Sequence, residues 1–146
     1  MTRPPIRHGT PPPIAPAPPR APGRRPAADM LARAIIRSRF PGDTGSARLR
    51  QLATVTFILA EHKRGAPPTV TSLAILVDSH RSVLDDIVTA LHQRGLVSRT
   101  DAPGYHPPDV PFAYAMHNTV LDVRTDAIEA FQDAHLRETG KPLDLG

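Results

Sequence analysis

The chain has 146 residues, with 18 Lys and Arg against 14 Asp and Glu, 18 prolines and no cysteine. This length allows one compact domain plus a tail, and the absence of cysteine excludes a disulfide framework and a thiolate metal site. No apolar run approaches the ~18 residues of a membrane span, and the basic N-terminus lacks the apolar segment of a secretory signal.

The positive charge is concentrated in the first half of the chain. The formal charge is +5 over residues 1–26 and +4 over 27–65, but −2 over 66–110 and −3 over 111–146. Any electrostatic attraction to phosphate must therefore come largely from the upstream half.

The first segment, residues 1–26, is expected to be a disordered tail. It holds ten of the prolines and five arginines, and such a composition favours extended polyproline II without apolar surface for a core. A solubilising tail, a proline-rich docking segment and a basic arm on DNA are all compatible with this composition. In the last case Arg20, Arg24 and Arg25 would contribute.

The remaining residues, 27–146, predict a mainly α domain with a small β-wing. A first helix is expected over 27–40, followed by a Pro-Gly pair that stops it. A second, wide-faced helix is expected from a cap at Thr44 or Ser46 to about Lys63, at the centre of the core.

A helix-turn-helix is predicted at about residues 70–95. Thr71 is the expected N-cap of its first helix, and Asp78, Ser79 and His80 form the turn. The second helix follows with an amphipathic stripe, and Gly95 is placed to close it as a C′ residue. The stripe consists of Leu84, Ile87, Val88 and Leu91.

A wing is predicted over about residues 96–117. Residues 96–99 read as its first strand, 101–111 as a proline-rich loop, and 112–117 as a returning strand. A last helix is expected over about 119–138.

Residues 69–100 resemble winged helix-turn-helix transcription regulators, most closely those of the multiple-antibiotic-resistance regulator (MarR) type. The similarity is carried by Thr69-Val70-Thr71-Ser72-Leu73-Ala74, by Arg81-Ser82, and by Leu91-His92-Gln93-Arg94-Gly95-Leu96-Val97. The chain departs from the family pattern in three places. Asp78 replaces the usual turn glycine, Asp85-Asp86 a common Ser-Arg pair, and the wing loop has no Arg or Lys.

The resemblance implies a winged helix-turn-helix with flanking dimerisation helices, working as a homodimeric repressor on double-stranded DNA. A cytoplasmic, nucleoid-associated bacterial protein is the corresponding expectation. The second helix of the motif would enter the major groove. The candidate DNA contacts are Thr71, Ser72, Arg81, Ser82, Asp85, Asp86 and Arg99.

Other arginines offer a second candidate surface. Arg48 and Arg50, near the start of the second helix, could form a basic patch with Arg33, Arg37 and Arg39, although an ordinary solvated helix surface fits them better.

The sequence does not predict a metal site, a cofactor or an enzyme. The histidines show no i, i+4 pair of the kind that binds zinc, and no nucleophile elbow or phosphate-binding glycine loop is present. An alternative to DNA binding stays open, because the paired aspartates and the wing without arginine also fit a winged-helix protein-interaction module with a docking tail.

Overall fold

The computed structural model describes residues 15–16, 23–111 and 119–146, which form five helices and one two-stranded sheet. The helices are α1 (Ala28–Arg37), α2 (Gly45–Lys63), α3 (Val70–Leu76), α4 (Arg81–Gln93) and α5 (Ala127–Thr139), and the strands are β1 (Val97–Asp101) and β2 (Thr119–Val123). The protein is therefore mainly helical with a small antiparallel sheet, as predicted. Most of the expected tail and the expected strand at 112–117 lie outside the described residues. Within those ranges, no helix is both long and apolar enough to cross a membrane.

The first two helices follow the sequence signals closely. Thr44 caps α2, since its side chain accepts a hydrogen bond from the Ala47 amide at 3.0 Å. Helix α1 is shorter than predicted, because Ser38 is extended and its hydroxyl donates to the Ile35 carbonyl. This turn brings Phe40 into the core, where its ring lies 5.2 Å from that of Phe131.

The cap of α3 is Thr69, so the prediction of Thr71 was wrong. Thr69 and Ser72 form a reciprocal capping box, in which each side chain accepts a hydrogen bond from the other residue's amide. This arrangement satisfies two otherwise unpaired amides at once. Asp78, in the turn after α3, has a left-handed conformation with φ of 53°, and Gly95 follows α4 with φ of 80°.

The sheet pairs β1 with β2 in antiparallel register, from Val97 opposite Val123 to Asp101 opposite Thr119. The last helix was predicted to begin at residue 119, and this was wrong, because residues 119–123 are the second strand. Val120, Leu121 and Val123 are all buried, and three-residue spacing of apolar side chains suits a helix as well as a strand covered on both faces. Pro68 accepts a hydrogen bond from the Leu121 amide at 2.8 Å, so the segment before α3 lies along β2.

One hydrophobic core joins all five helices to the sheet. Leu31 and Ile35 of α1, Val88 and Leu91 of α4, and Phe131 of α5 are essentially inaccessible to solvent. Helices α1 and α5 contact each other, while α3 and α4 contact each other and α4 also contacts β1. Because the inner face of α4 packs in this core and α4 contacts β1, the outer face of α4 is held at a fixed position relative to the sheet.

Candidate nucleic-acid interface

Helix α4 presents distinct sides to its surroundings. Leu84, Val88 and Leu91 face the core. The side towards the sheet carries Asp85, Thr89 and His92, and His92 Nδ1 lies 3.0 Å from the carbonyl oxygen of Val97. The outward ridge consists of the exposed residues Ser82, Asp86 and Gln93.

The first turn of α4 is open to solvent. Arg81 and Ser82 are both exposed, and His80, the N-cap residue, makes no side-chain cap hydrogen bond. A helix start of this kind leaves amide donors and a positive end of the helix dipole without a protein side chain to satisfy them.

Arg99 extends from β1 towards the same helix. Its Nη2 donates to the hydroxyl of Thr89 at 2.9 Å and lies 3.6 Å from a carboxylate oxygen of Asp85. Its Nε is buried and has no hydrogen-bond partner within the part of the chain that the structure describes. The guanidinium group is therefore fixed at one end and only partly satisfied.

Asp85 and Asp86 have different surroundings, although they are neighbours in the sequence. Asp85 faces the sheet beside Arg99, with a side chain that is 51% exposed, whereas Asp86 is on the outward ridge. Adjacent positions on a helix are about 100° apart, which explains the separation. Both aspartates were named as candidate DNA contacts, and the structure places Asp85 beside Arg99 and Asp86 on the ridge.

A groove of about 380 Å³ lies between α4, the start of α3 and the sheet. We refer to it as the Arg99 groove, and its polar side chains are Thr71, Arg81, Asp85, Arg99, Asp101 and Thr119. The hydroxyl of Thr119 donates to Asp101 at 3.4 Å. Two guanidinium groups and two carboxylates thus share this groove.

The structure brings most of the predicted DNA-contacting residues together around this groove. Thr71, Arg81, Asp85 and Arg99 line it, and Ser82 lies on the turn beside Arg81. Ser72 does not join them by its side chain, because its hydroxyl is engaged with Thr69 in the capping box. Its contribution is to the stability of α3.

Arg25 does not belong to a free basic tail. Its Nη2 donates to an Asp122 carboxylate oxygen at 2.8 Å and lies 2.9 Å from Nδ1 of His62. Arg24, the residue before it, is exposed, and Arg20 lies outside the described residues. Of these three arginines, Arg25 is committed to the fold rather than to a ligand.

The arginines of the proposed patch have separate partners. Arg33 and Arg37 of α1 donate to backbone carbonyls of the C-terminal segment, at Leu145 and Asp144. Arg39 donates to the backbone carbonyls of Ile36 and Ser38, just before it in the sequence.

The two arginines of α2 also differ from each other. The charge of Arg48 acts on the buried carboxylate of Asp43, while Arg50 is exposed at the edge of an apolar cleft. The patch of five arginines stays a prediction.

A buried polar network next to the core was not predicted. Arg94 donates to Asp43 through both terminal nitrogens, at 2.7 and 3.2 Å, and lies 3.9 Å above the ring of Phe40. Gln51 donates to the same carboxylate. Burial alone raises the pKa of Asp43, but the hydrogen bonds from Arg94 and Gln51 and the charges of Arg94 and Arg48 outweigh it, so the pKa is lowered. The sequence signal that could have pointed to Asp43 is the Pro-Gly-Asp-Thr turn before α2.

A second concave surface, the apolar cleft, lies between α2, α3 and α4. It encloses about 400 Å³, and its lining includes Phe57, Leu73, Val77, Val83 and Ile87. Leu76 and Val77, at the end of α3, are both exposed. The cleft is therefore open apolar surface on the side of α4 away from the sheet.

No family model, no curated protein and no solved structure matches the chain.

Proposed function

We propose that this protein is a winged helix-turn-helix regulator of transcription that binds double-stranded DNA sequence-specifically as a homodimer. In this proposal α3 and α4 form the helix-turn-helix, and β1 and β2 form the wing. The observation that carries it is the exposed, uncapped first turn of α4, with Arg81 and Ser82, directly beside Arg99 of the sheet.

The major groove of DNA accommodates an α-helix, and base edges are read there by side chains near the start of that helix. Arg81 would donate to a guanine edge or a phosphate, and Ser82 would accept or donate at the next position. Asp85, in the Arg99 groove, would accept from the amino group of a cytosine. Thr71 and Arg99, at the rims of the Arg99 groove, would contact the sugar-phosphate backbone.

The dimer would form through the terminal helices α1 and α5. These helices pack together and still expose Met30, Ile36 and Leu136. A two-fold dimer matches a pseudo-palindromic operator, and its half-sites would lie about one helical turn apart. Occlusion of a promoter is the simplest action for such a protein in the bacterial cytoplasm.

The test is binding of the full-length chain to DNA fragments flanking its own gene, across a salt series. We expect selective binding, and Arg81→Ala should weaken it by roughly ten- to a hundredfold, the cost of one lost base contact. Lys63→Ala, an exposed basic residue in the last turn of α2, is the control and should bind as the wild type does. Equal affinity for operator and random duplexes would contradict the proposal.

A protein-interaction module is the second candidate, and the apolar cleft is the observation that favours it. Exposed Phe57, Val77 and Val83 form a surface that an amphipathic partner could cover. Val83→Asp, which puts a charge into the cleft, separates the two functions. A module whose partner covers the cleft should lose that partner, whereas a DNA-binding protein should keep its affinity for DNA.

A further inference from the structure

We propose that Asp85 is a positioning residue that keeps Arg99 from binding phosphate until α4 meets its cognate base pairs. This inference depends on the DNA-binding function proposed above and adds a source of selectivity to it. It concerns the two charged groups that face each other between α4 and β1.

The contact between these two groups is close but not tight. Arg99 Nη2 lies 3.6 Å from Asp85 Oδ1, beyond a good hydrogen bond, while the same nitrogen donates to Thr89 at 2.9 Å. The two side chains are 29% and 51% exposed. Asp85 can therefore be drawn away by another donor without breaking the hydrogen bond that holds Arg99 to α4.

Among the charged groups nearby, Arg99 is the cation whose availability for phosphate depends on the contact with Asp85. Arg81 is exposed at the outer end of the Arg99 groove. Asp101 lies in the same groove and accepts from Thr119. The wing loop between the strands has no Arg or Lys over residues 102–111, so Arg99 is the basic residue that this part of the sheet offers to a backbone.

Random DNA and the cognate site should then differ in whether a phosphate contacts Arg99. On random DNA most binding registers place no cytosine amino group against Asp85, so the pair stays together and Arg99 displaces no counterion from phosphate. On the cognate site an amino group of cytosine donates to Asp85. Arg99 keeps its hydrogen bond to Thr89 and turns its other donors to a phosphate, which adds one ionic contact to the specific complex alone.

Asp86 provides a matched control within the chain. It carries the same charge one residue away, on the exposed ridge rather than facing Arg99. A general effect of removing negative charge from α4 would appear in both variants, whereas release of Arg99 would appear only when Asp85 is changed.

The experiment measures the affinity of the full-length protein for its operator and for a random duplex of equal length, each across a salt series. For the wild type we expect the slope of log affinity against log salt to be steeper on the operator by about 0.9, the value of one phosphate contact. Asp85→Asn should steepen the slope on the random duplex by the same amount and remove the difference. Asp86→Asn should keep the difference.

Two further variants identify Arg99 as the group released. Arg99→Gln should lower the operator slope by about 0.9 and leave the random slope unchanged. The double variant, Asp85→Asn with Arg99→Gln, should not show the steeper random slope of Asp85→Asn alone.

Equal slopes for the wild type on the two duplexes would overturn the inference, as would identical behaviour of Asp85→Asn and Asp86→Asn, while selective binding would leave the regulator function intact. A wild type without any preferred duplex would contradict both proposals. Thermal unfolding of each variant shows that the fold is retained.

Discussion

Arg25 and Asp122 form an ion pair that joins the segment before α1 to β2 across 97 positions of the chain. Their side chains are 18% and 19% exposed, and His62 of α2 contacts both, at 2.9 Å from Arg25 Nη2 and 3.5 Å from Asp122 Oδ1. The pair thus ties the N-terminal segment, the sheet and α2 together at one point.

Arg25→Gln should lower the free energy of unfolding by roughly 2–3 kcal/mol, because Asp122 is left in a mostly buried site without its partner. Urea unfolding of the full-length chain measures this. Arg24→Gln is the control, since Arg24 is exposed, and it should change stability by less than about 0.5 kcal/mol. Equal stability of the two variants would mean that the pair contributes nothing.

Asp43→Asn should destabilise the protein by roughly 2–4 kcal/mol near neutral pH, because the variant leaves Arg94 without a carboxylate at a site where both side chains are 12% exposed. The pKa of Asp43 is lowered from 3.8. The stability contributed by its charge is therefore present above that value and is lost as the pH falls through the folded-state pKa.

The difference in unfolding free energy between the wild type and Asp43→Asn should consequently shrink below about pH 4. Denaturant unfolding at several acidic pH values measures it. Asp126→Asn is the control, because the lowered pKa of Asp126 comes from an exposed pair with Arg124, and its loss should cost at most about 1 kcal/mol. A difference for Asp43→Asn that persists unchanged at low pH would contradict this account.

Gly95→Ala should destabilise the protein by roughly 2–4 kcal/mol, through strain and overpacking together. Gly95 has φ of 80°, and a Cβ there would lie 2.6 Å from that of Ala130 on α5. Gly65→Ala isolates the conformational part, since Gly65 has φ of 79° with nothing within 4 Å of an added Cβ, and should cost about 1–2 kcal/mol. Thermal unfolding compares them, and a smaller loss at Gly95 than at Gly65 would refute the packing argument.

Tyr105→Phe should cost about 1–2 kcal/mol below pH 10, because the hydroxyl of Tyr105 donates to the Pro67 carbonyl at 2.7 Å. Burial and the charge of Glu61 raise the pKa of Tyr105 above 10.0, with partial opposition from Arg64. Stability from this phenol is therefore complete below pH 10 and is lost as the pH rises through the raised value. Unfolding across alkaline pH should show the wild type approaching the variant, and parallel curves would exclude the effect.

Local signals in the sequence identify much of the helical framework. The Thr44 cap, the stripe of α4 and the closing Gly95 are each decided within a few residues, by hydrogen bonding or by backbone conformation. The same local reasoning failed at residues 119–123, where apolar spacing alone does not separate a helix from a strand buried on both faces. It also failed at Thr71, because Thr69 and Ser72 satisfy two amides together.

The residues proposed for the candidate site come from the sequence, but their arrangement comes from the structure. Arg81, Ser82, Asp85 and Arg99 were identified from their places in a motif. The contact of Arg99 with Thr89 and Asp85 depends on how β1 packs against α4. The spacing of residues along the chain predicts which face of a helix they share, but not how far a helix lies from a strand.

The sequence by itself determined the element types around α2, α3 and α4 and the basic upstream half, and it supplied the residues of the proposed DNA-contacting surface. Only the tertiary structure decided which charged side chains form ion pairs within the protein and which stay exposed to solvent. It buries Arg25 against Asp122 and Arg94 against Asp43, it pairs Asp85 with Arg99, and it leaves Arg81 and Asp86 exposed. The physical reason is that ion pairs form between groups brought together by packing, over separations of 10 to 100 residues, whereas helix caps and amphipathic stripes are settled within a single turn.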